Sequence, residues 1–349
     1  MIGRRLLGLL ILALGCFAQK IPAAETQLAD RWELVGQVLT EPGWHLWGAS
    51  PIQDEKGRVH LFVARWPASV SFDIGWRKHS EIAHYVADQP EGPFRFGETV
   101  LEGNGAGWDA VGMHNPCVRR AAGRYVLFHI ANSWEGGRAK HGPNQRIGLR
   151  VAESLAGPWR KIANDGLALE PGAWCTGSGC GVNNPAFIEA PDGRLLLYFK
   201  SKPGPTGHVR MGLAIAEKLE GPWTIQNEPI TSNERGIEDG TAFLWNDKIC
   251  LLTTDNHGII ERGGGLLWTS DDGRRFDPKP RHGFHPLHVH LKGQVPAQAK
   301  FHYGRETKFE RPQILMQEGQ PAYLYAPSGT ALNGEDGTGV HLLRNTTTD

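Results

Sequence analysis

Little in this 349-residue chain points to a metal finger, a nucleic-acid surface or a membrane span. It has only five cysteines, none in a Cys-x-x-Cys pair, which disfavours a cysteine-based zinc site. Lys plus Arg equals Asp plus Glu at 37 each, with no long run of one sign. Neither nucleic acid nor an anionic membrane is therefore an expected partner. No Pro/Ser-rich linker or composition break interrupts the chain, which reads as one domain over residues 30–345. The one long apolar run, Leu6 to Ala18 behind Arg4 and Arg5, has the length of a signal-peptide core and is too short to span a bilayer comfortably. Residues 1–18 are expected to direct export to the periplasm or the exterior, leaving no transmembrane span in the mature chain. Cleavage after Ala18 is preferred over lipid attachment at Cys16, because Ala13-Leu14-Gly15-Cys16 is a poor lipid-attachment sequence. Of the remaining cysteines, Cys175 and Cys180 share a loop in which an oxidising compartment permits a disulfide. Cys117 and Cys250 lie in apolar runs and read as buried thiols.

What is present is a repeat. A polar or charged pair precedes a proline, once a glycine, and a short apolar run in Ala49-Ser50-Pro51-Ile52, His114-Asn115-Pro116-Cys117, Asn183-Asn184-Pro185-Ala186, Glu238-Asp239-Gly240-Thr241 and Glu310-Arg311-Pro312-Gln313. The copies are 65, 69, 55 and 72 residues apart, a spacing near that of a propeller blade with variable loops. Each is followed by turn residues such as Asp192-Gly193 and by a second β-rich run, which together read as a hairpin. A third run leads to Gly92-Pro93-Phe94, Gly157-Pro158-Trp159 and Gly221-Pro222-Trp223, with a degenerate copy ending at Phe276; the aromatic is expected to open an outer strand. Four strands in each of five units predict an all-β fold, a five-bladed β-propeller of antiparallel four-stranded blades. The fifth unit ends without an outer strand, so the segment Trp32 to Leu39 is expected to supply it and close the ring.

In a propeller the innermost strands meet around the axis, so equivalent residues converge although they are far apart in sequence. The pair before each proline or glycine thus brings together Ala49 and Ser50, His114 and Asn115, Asn183 and Asn184, Glu238 and Asp239, and Glu310 and Arg311. Asn, Asp and Ser before proline also initiate turns by bonding their own backbone. A whole ring of polar groups left unsatisfied would be costly, however, which argues for a polar ligand whose hydroxyls complete the network. Twelve tryptophans are many for this length, and aromatic faces suit sugar rings as well as cores.

These units resemble the five-bladed propeller glycosidases of glycoside hydrolase families 43, 62, 32, 68, 117 and 130. Trp47-Gly48-Ala49-Ser50-Pro51-Ile52, Trp108-Asp109, His114-Asn115-Pro116, Glu238-Asp239-Gly240 and Glu310-Arg311-Pro312-Gln313 look most like a family-43-like subgroup. The resemblance implies inverting hydrolysis with an aspartate base in the first blade, a modulating aspartate in the third and a glutamate acid in the fourth. Glu238 matches the acid. Ser50 and Asn184 stand at the two aspartate positions, so the mechanism cannot be copied unchanged. A serine hydroxyl needs its own base to take a proton from water.

Asp109, Asp239, Asp255 and Glu310 are the acidic replacements near the funnel. The expected catalytic set is Glu238 as acid, Asp109 as base, and Asp255, which would hold hydroxyls or keep Glu238 protonated by like-charge repulsion. Trp47, Ser50, His114, Asn115, Asn184, Asp239, His257, Glu310 and Arg311 are the expected substrate contacts. Lys200 and Arg210 read either as contacts to an anionic sugar or as surface cations. His288 and His290 would share a face of an extended run, but no carboxylate has convincing spacing, so no metal ligand or cofactor is assigned. The resemblance alone admits an axial calcium. The leading expectation is an exported glycoside hydrolase acting on terminal sugars of a polysaccharide or oligosaccharide. Its rivals are a non-catalytic carbohydrate-binding propeller and a glycosyl-transferring or phosphorolytic enzyme.

Overall fold

A computed structural model describes residues 27–133, 145–175, 181–204, 207–304 and 306–347. The expected leader, with Cys16, and Cys180 lie outside them. The chain forms five antiparallel blades in a ring. Blade I comprises Trp44–Gln53, Val59–Pro67, Glu81–Ala87 and Arg95–Leu101, from the axis outwards. Blade II has Val111–Ala121, Arg124–Asn132 and Gln145–Ala152, with an outer edge split into Arg160–Lys161 and Leu167–Leu169. Blade III is Asn183–Glu189, Leu195–Ser201, Arg210–Ala216 and Thr224–Ile225, and blade IV is Glu238–Trp245, Lys248–Thr254, Gly265–Ser270 and Arg281–Phe284. In the fourth blade the outer strand begins beyond Phe276, so the degenerate copy does not open it.

Blade V closes as expected. Gln313–Gln317, Gln320–Ser328 and Gly339–Asn345 are completed on the outside by Trp32–Leu39, whose Trp32 pairs with Asn345 and Leu39 with Val340. Leu28 and Trp32 are buried in one apolar cluster with Phe243, Trp245 and Leu343, so the N-terminal segment bonds blade V to blade IV through side chains as well as backbone. The Trp32 indole donates to the Gly283 carbonyl at 2.9 Å. Between blades, the core is built from facing aliphatic and aromatic positions such as Phe128, Phe187 and Leu197. Among the described residues no helix is long and apolar enough to cross a membrane.

The inner strands share one irregularity that aims the site. Trp47 pairs with Ala64 and Ser50 with Phe62, so three steps on one strand face two on the other; His114 to Cys117, Asn183 to Ala186 and Glu238 to Thr241 repeat this. Each is a β-bulge that re-aims the side chain beside it. The bulge residue is left-handed in each of these four blades, Gly48 (φ 56°), Asn115 (47°), Asn184 (52°) and Asp239 (62°), and Arg311 (47°) at the lead into blade V shares the conformation. Asn and Asp tolerate this region better than most residues, which explains two of the three types found there besides Arg. A Cβ on Gly48 would lie 2.7 Å from Asn115 Oδ1, so glycine is required by space as well as by φ. The bulges correct the expected equivalence in blade I: Trp47 and Gly48, not Ala49 and Ser50, match His114 and Asn115.

Cys175 is a buried thiol whose Sγ donates to the Gly172 carbonyl at 2.8 Å, and its expected disulfide partner, Cys180, lies outside the described residues. One further expectation changes. Leu287–His290 is a single helical turn rather than an extended run, which removes the shared face proposed for His288 and His290.

Candidate active site

The residue preceding each left-handed position turns into one axial cavity of about 430 Å³, lined by Trp47, His114, Asn183, Glu238 and Glu310 from five different blades. That volume is in the ordinary range for small-ligand sites. Below them the bulge side chains form a closed chain. Asn115 Nδ2 donates to Asn184 Oδ1 at 2.8 Å, Asn184 Nδ2 to Asp239 Oδ1 at 2.7 Å, and Thr254 Oγ1 and the Arg311 backbone N–H both donate to Asp239 Oδ2 at 2.9 Å. The wholly buried Arg311 guanidinium donates to the carbonyls of Asn115 at 3.1 Å and Pro185 at 2.9 Å. Arg311 therefore ties three inner strands together and is absent from the cavity lining, against the expectation that it binds substrate.

One wall is aromatic. The helix Phe72–Lys78, inserted between the second and third strands of blade I, brings Phe72, Asp73 and Trp76 to the rim, with Gly75 pressed so close to Trp66 that a Cβ would overlap its ring. Phe72 stacks on Tyr303 with centroids 4.8 Å apart, and Trp47 meets Phe72 edge-on at 5.0 Å. Facing this wall are the ionisable groups. Lys200 Nζ lies 3.1 Å from Glu238 Oε2, and Lys308 Nζ is in direct contact with Glu310 Oε1.

The two glutamates are driven apart in proton affinity. Burial raises the Glu310 carboxyl to about 7, helped by the negative charges of Asp239 and Glu238 and only partly offset by Lys308. For Glu238 burial pulls in the same direction, but the Lys200 ammonium and its hydrogen bond outweigh it and hold the group below the usual glutamate value. Their exposure agrees: the Glu238 side chain is 38 % exposed to the cavity and that of Glu310 11 %. Burial, with Arg311 and Lys200 adding to it, pushes His114 down to about 3, so its ring is neutral; Nδ1 contacts Ser80 Oγ at 3.0 Å. Asn183 donates to Gln145 Oε1 at 2.8 Å, while the buried Oδ1 atoms of Asn183 and Asn115 have no partner among the described residues.

Several expected site residues lie elsewhere. Asp109 is buried in blade II, where Arg150 Nη2 at 2.9 Å, Lys161 Nζ at 3.0 Å and Asn104 Nδ2 at 3.0 Å consume its oxygens. It does not line the cavity, so the base role has no geometric support. Asp255 accepts the backbone N–H groups of Ile259, Ile260 and Glu261 at 2.8–3.0 Å and is a turn-holding carboxylate. Ser50 bridges blades, accepting from Val118 N at 3.0 Å. His257 lines a neighbouring surface depression with His208 and Arg235. Trp47, His114, Asn115, Asn184, Glu238, Asp239 and Glu310 are brought together as expected. Lys200 is a lining residue and not a surface cation, while Tyr303 and the Lys308 that supports Glu310 carried no repeat signal.

No protein-family model matches the sequence, and no curated protein matches it. Solved structures do. A family 117 glycoside hydrolase of Zobellia galactanivorans, Zg3597, superposes with a TM-score of 0.65 over 92 % of this chain and 93 % of its own, at 15 % identity. The GH43_1 enzyme of Xanthomonas citri complexed with xylose gives 0.59 over 88 % and 89 %, at 13 % identity. CoXyl43, a β-xylosidase/α-arabinofuranosidase from a compost metagenome, gives 0.59 over 91 % and 94 %, at 12 % identity. This chain shares their five-bladed fold. At such identity the likeness establishes architecture and no chemistry.

Proposed function

We propose that the protein is a glycoside hydrolase whose axial cavity takes a terminal sugar, and that it works after export, as the Leu6 to Ala18 run suggests. The observation that carries this reading is that Glu238 and Glu310, from different blades, line one cavity in different surroundings, one more exposed beside Lys200 and the other more buried against Lys308, since divergent carboxyl environments are how one site holds an acid and a base. Glu310 donates its proton to the leaving oxygen as the bond from the anomeric carbon breaks. Glu238, ionised beside Lys200, takes a proton from the attacking water. This reverses the role expected for Glu238 from family resemblance. Trp47 and Tyr303 offer apolar faces to the ring. The wall raised by Phe72–Lys78 favours a chain end over a chain interior.

A non-catalytic sugar-binding reading has one observation of its own: each glutamate is already ion-paired with a lysine. A panel of aryl glycosides and polysaccharides separates the two. The wild type is expected to release a monosaccharide, and Glu310→Gln and Glu238→Gln to lose at least about 100-fold in rate, in line with acid–base contributions. Saturable binding with no turnover by all three proteins would establish the binding module instead.

A further inference from the structure

A second cluster of ligating groups lies outside the cavity, at the outer edge of blade IV. Glu261, in the loop between the second and third strands, receives two imidazoles on one carboxylate oxygen: His285 Nδ1 at 2.7 Å and His282 Nε2 at 3.1 Å. One ligand atom from each of the three residues lies within 4.8 Å of the others. His282 Nε2 is buried, and although it lies close to Glu261 it makes no well-aligned hydrogen bond among the described residues. The opposite face of His285 is also engaged, its Nε2 lying 3.3 Å from Asp30 Oδ1. A carboxylate behind a histidine fixes the tautomer that leaves the other nitrogen free to ligate, the arrangement usual around metal-bound histidines. Glu261 is itself held, because its backbone N–H donates to Asp255 at 3.0 Å.

We propose that Glu261, His282 and His285 bind a zinc ion, with Asp30 orienting His285 from behind. Two imidazoles and one carboxylate suit borderline divalent metals such as zinc better than calcium or magnesium, and three protein ligands leave a position for water. The site joins two parts of the chain that the ring must keep together. Asp30 belongs to the short helical turn Leu28–Arg31, which leads directly into the ring-closing strand, while the ligands belong to blade IV. Zinc therefore clips the closing segment to its neighbouring blade.

The test uses the untagged full chain after chelator treatment, titrated with zinc chloride by calorimetry and followed by thermal unfolding. One equivalent is expected to bind to the wild type and to His288→Ala and to raise Tm in both, whereas the His282→Ala/His285→Ala double variant loses both effects. Asp30→Asn should weaken binding by about 10–100-fold without abolishing it. Absence of a zinc-dependent Tm shift in the wild type, or unchanged binding by the double variant, overturns the proposal. Should the double variant not fold, zinc X-ray absorption on the wild type decides: two imidazoles with oxygen donors support the site, and any other shell refutes it.

Discussion

At the scale of single residues, the carboxylates divide by what surrounds them, and sequence does not report surroundings. Asp109 and Asp255 read as suitable as Glu310 because Asp109 follows Trp108 on the loop into blade II and Asp255 stands at the end of the second strand of blade IV. In the fold, the oxygens of Asp109 are consumed by Arg150, Lys161 and Asn104, and those of Asp255 by three backbone N–H groups. Removing one partner of a buried pair strands the other charge, at a cost of about 3–5 kcal/mol. Asp109→Asn is therefore expected to lower the stability to urea by that order while kcat, measured where the variant is folded, stays within about twofold of the wild type. A collapse of kcat with unchanged stability would restore Asp109 to the catalytic set. Lys200 was legible in principle. It pairs with Asn183 across the hairpin, the same station that Ala64, Ile130 and Thr254 hold opposite Trp47, His114 and Glu238. Once that register is known, a cation at this station points to the axis.

At the scale of elements, the repeats disclosed the strands and their order because turn residues and apolar runs recur with the blade. What they concealed was the bulge. In four blades the left-handed residue sits just before Pro or Gly, but in blade I it is Gly48, two residues earlier than the proline suggested. A one-residue insertion shifts the phase of the alternation, but these inner strands are buried on both faces, so the shift leaves no polar–apolar mark in the sequence. The closing strand was legible from the missing fourth strand of the last unit. Its removal should be severe, since Leu28, Trp32 and Leu39 are buried and Gly339–Asn345 would become an exposed edge. Trp32→Ala alone is expected to cost about 3–5 kcal/mol, and a chain starting at residue 41 to show no cooperative unfolding transition in circular dichroism. A sharp transition near the wild-type midpoint in that truncation would contradict the closure.

At the scale of the molecule, the site exists only because the ring closes. Glu238 and Asp239 come from blade IV, Glu310 from the lead into blade V and Lys200 from blade III, so the electrostatic contrast between the glutamates belongs to no single blade. The roles follow from that assembly and not from the motif, which is why Glu238 could be found in the sequence and its charge state could not. The most direct test is the pH dependence of kcat/KM on the best aryl glycoside. Glu310 must carry a proton, so activity should fall as pH rises through about 7. Glu238 must be ionised, so the acid limb should lie below the ordinary glutamate value of about 4.3. The account predicts that the limb near 7 disappears from the residual activity of Glu310→Gln; the same limb persisting in that variant, or vanishing in Glu238→Gln instead, would contradict it.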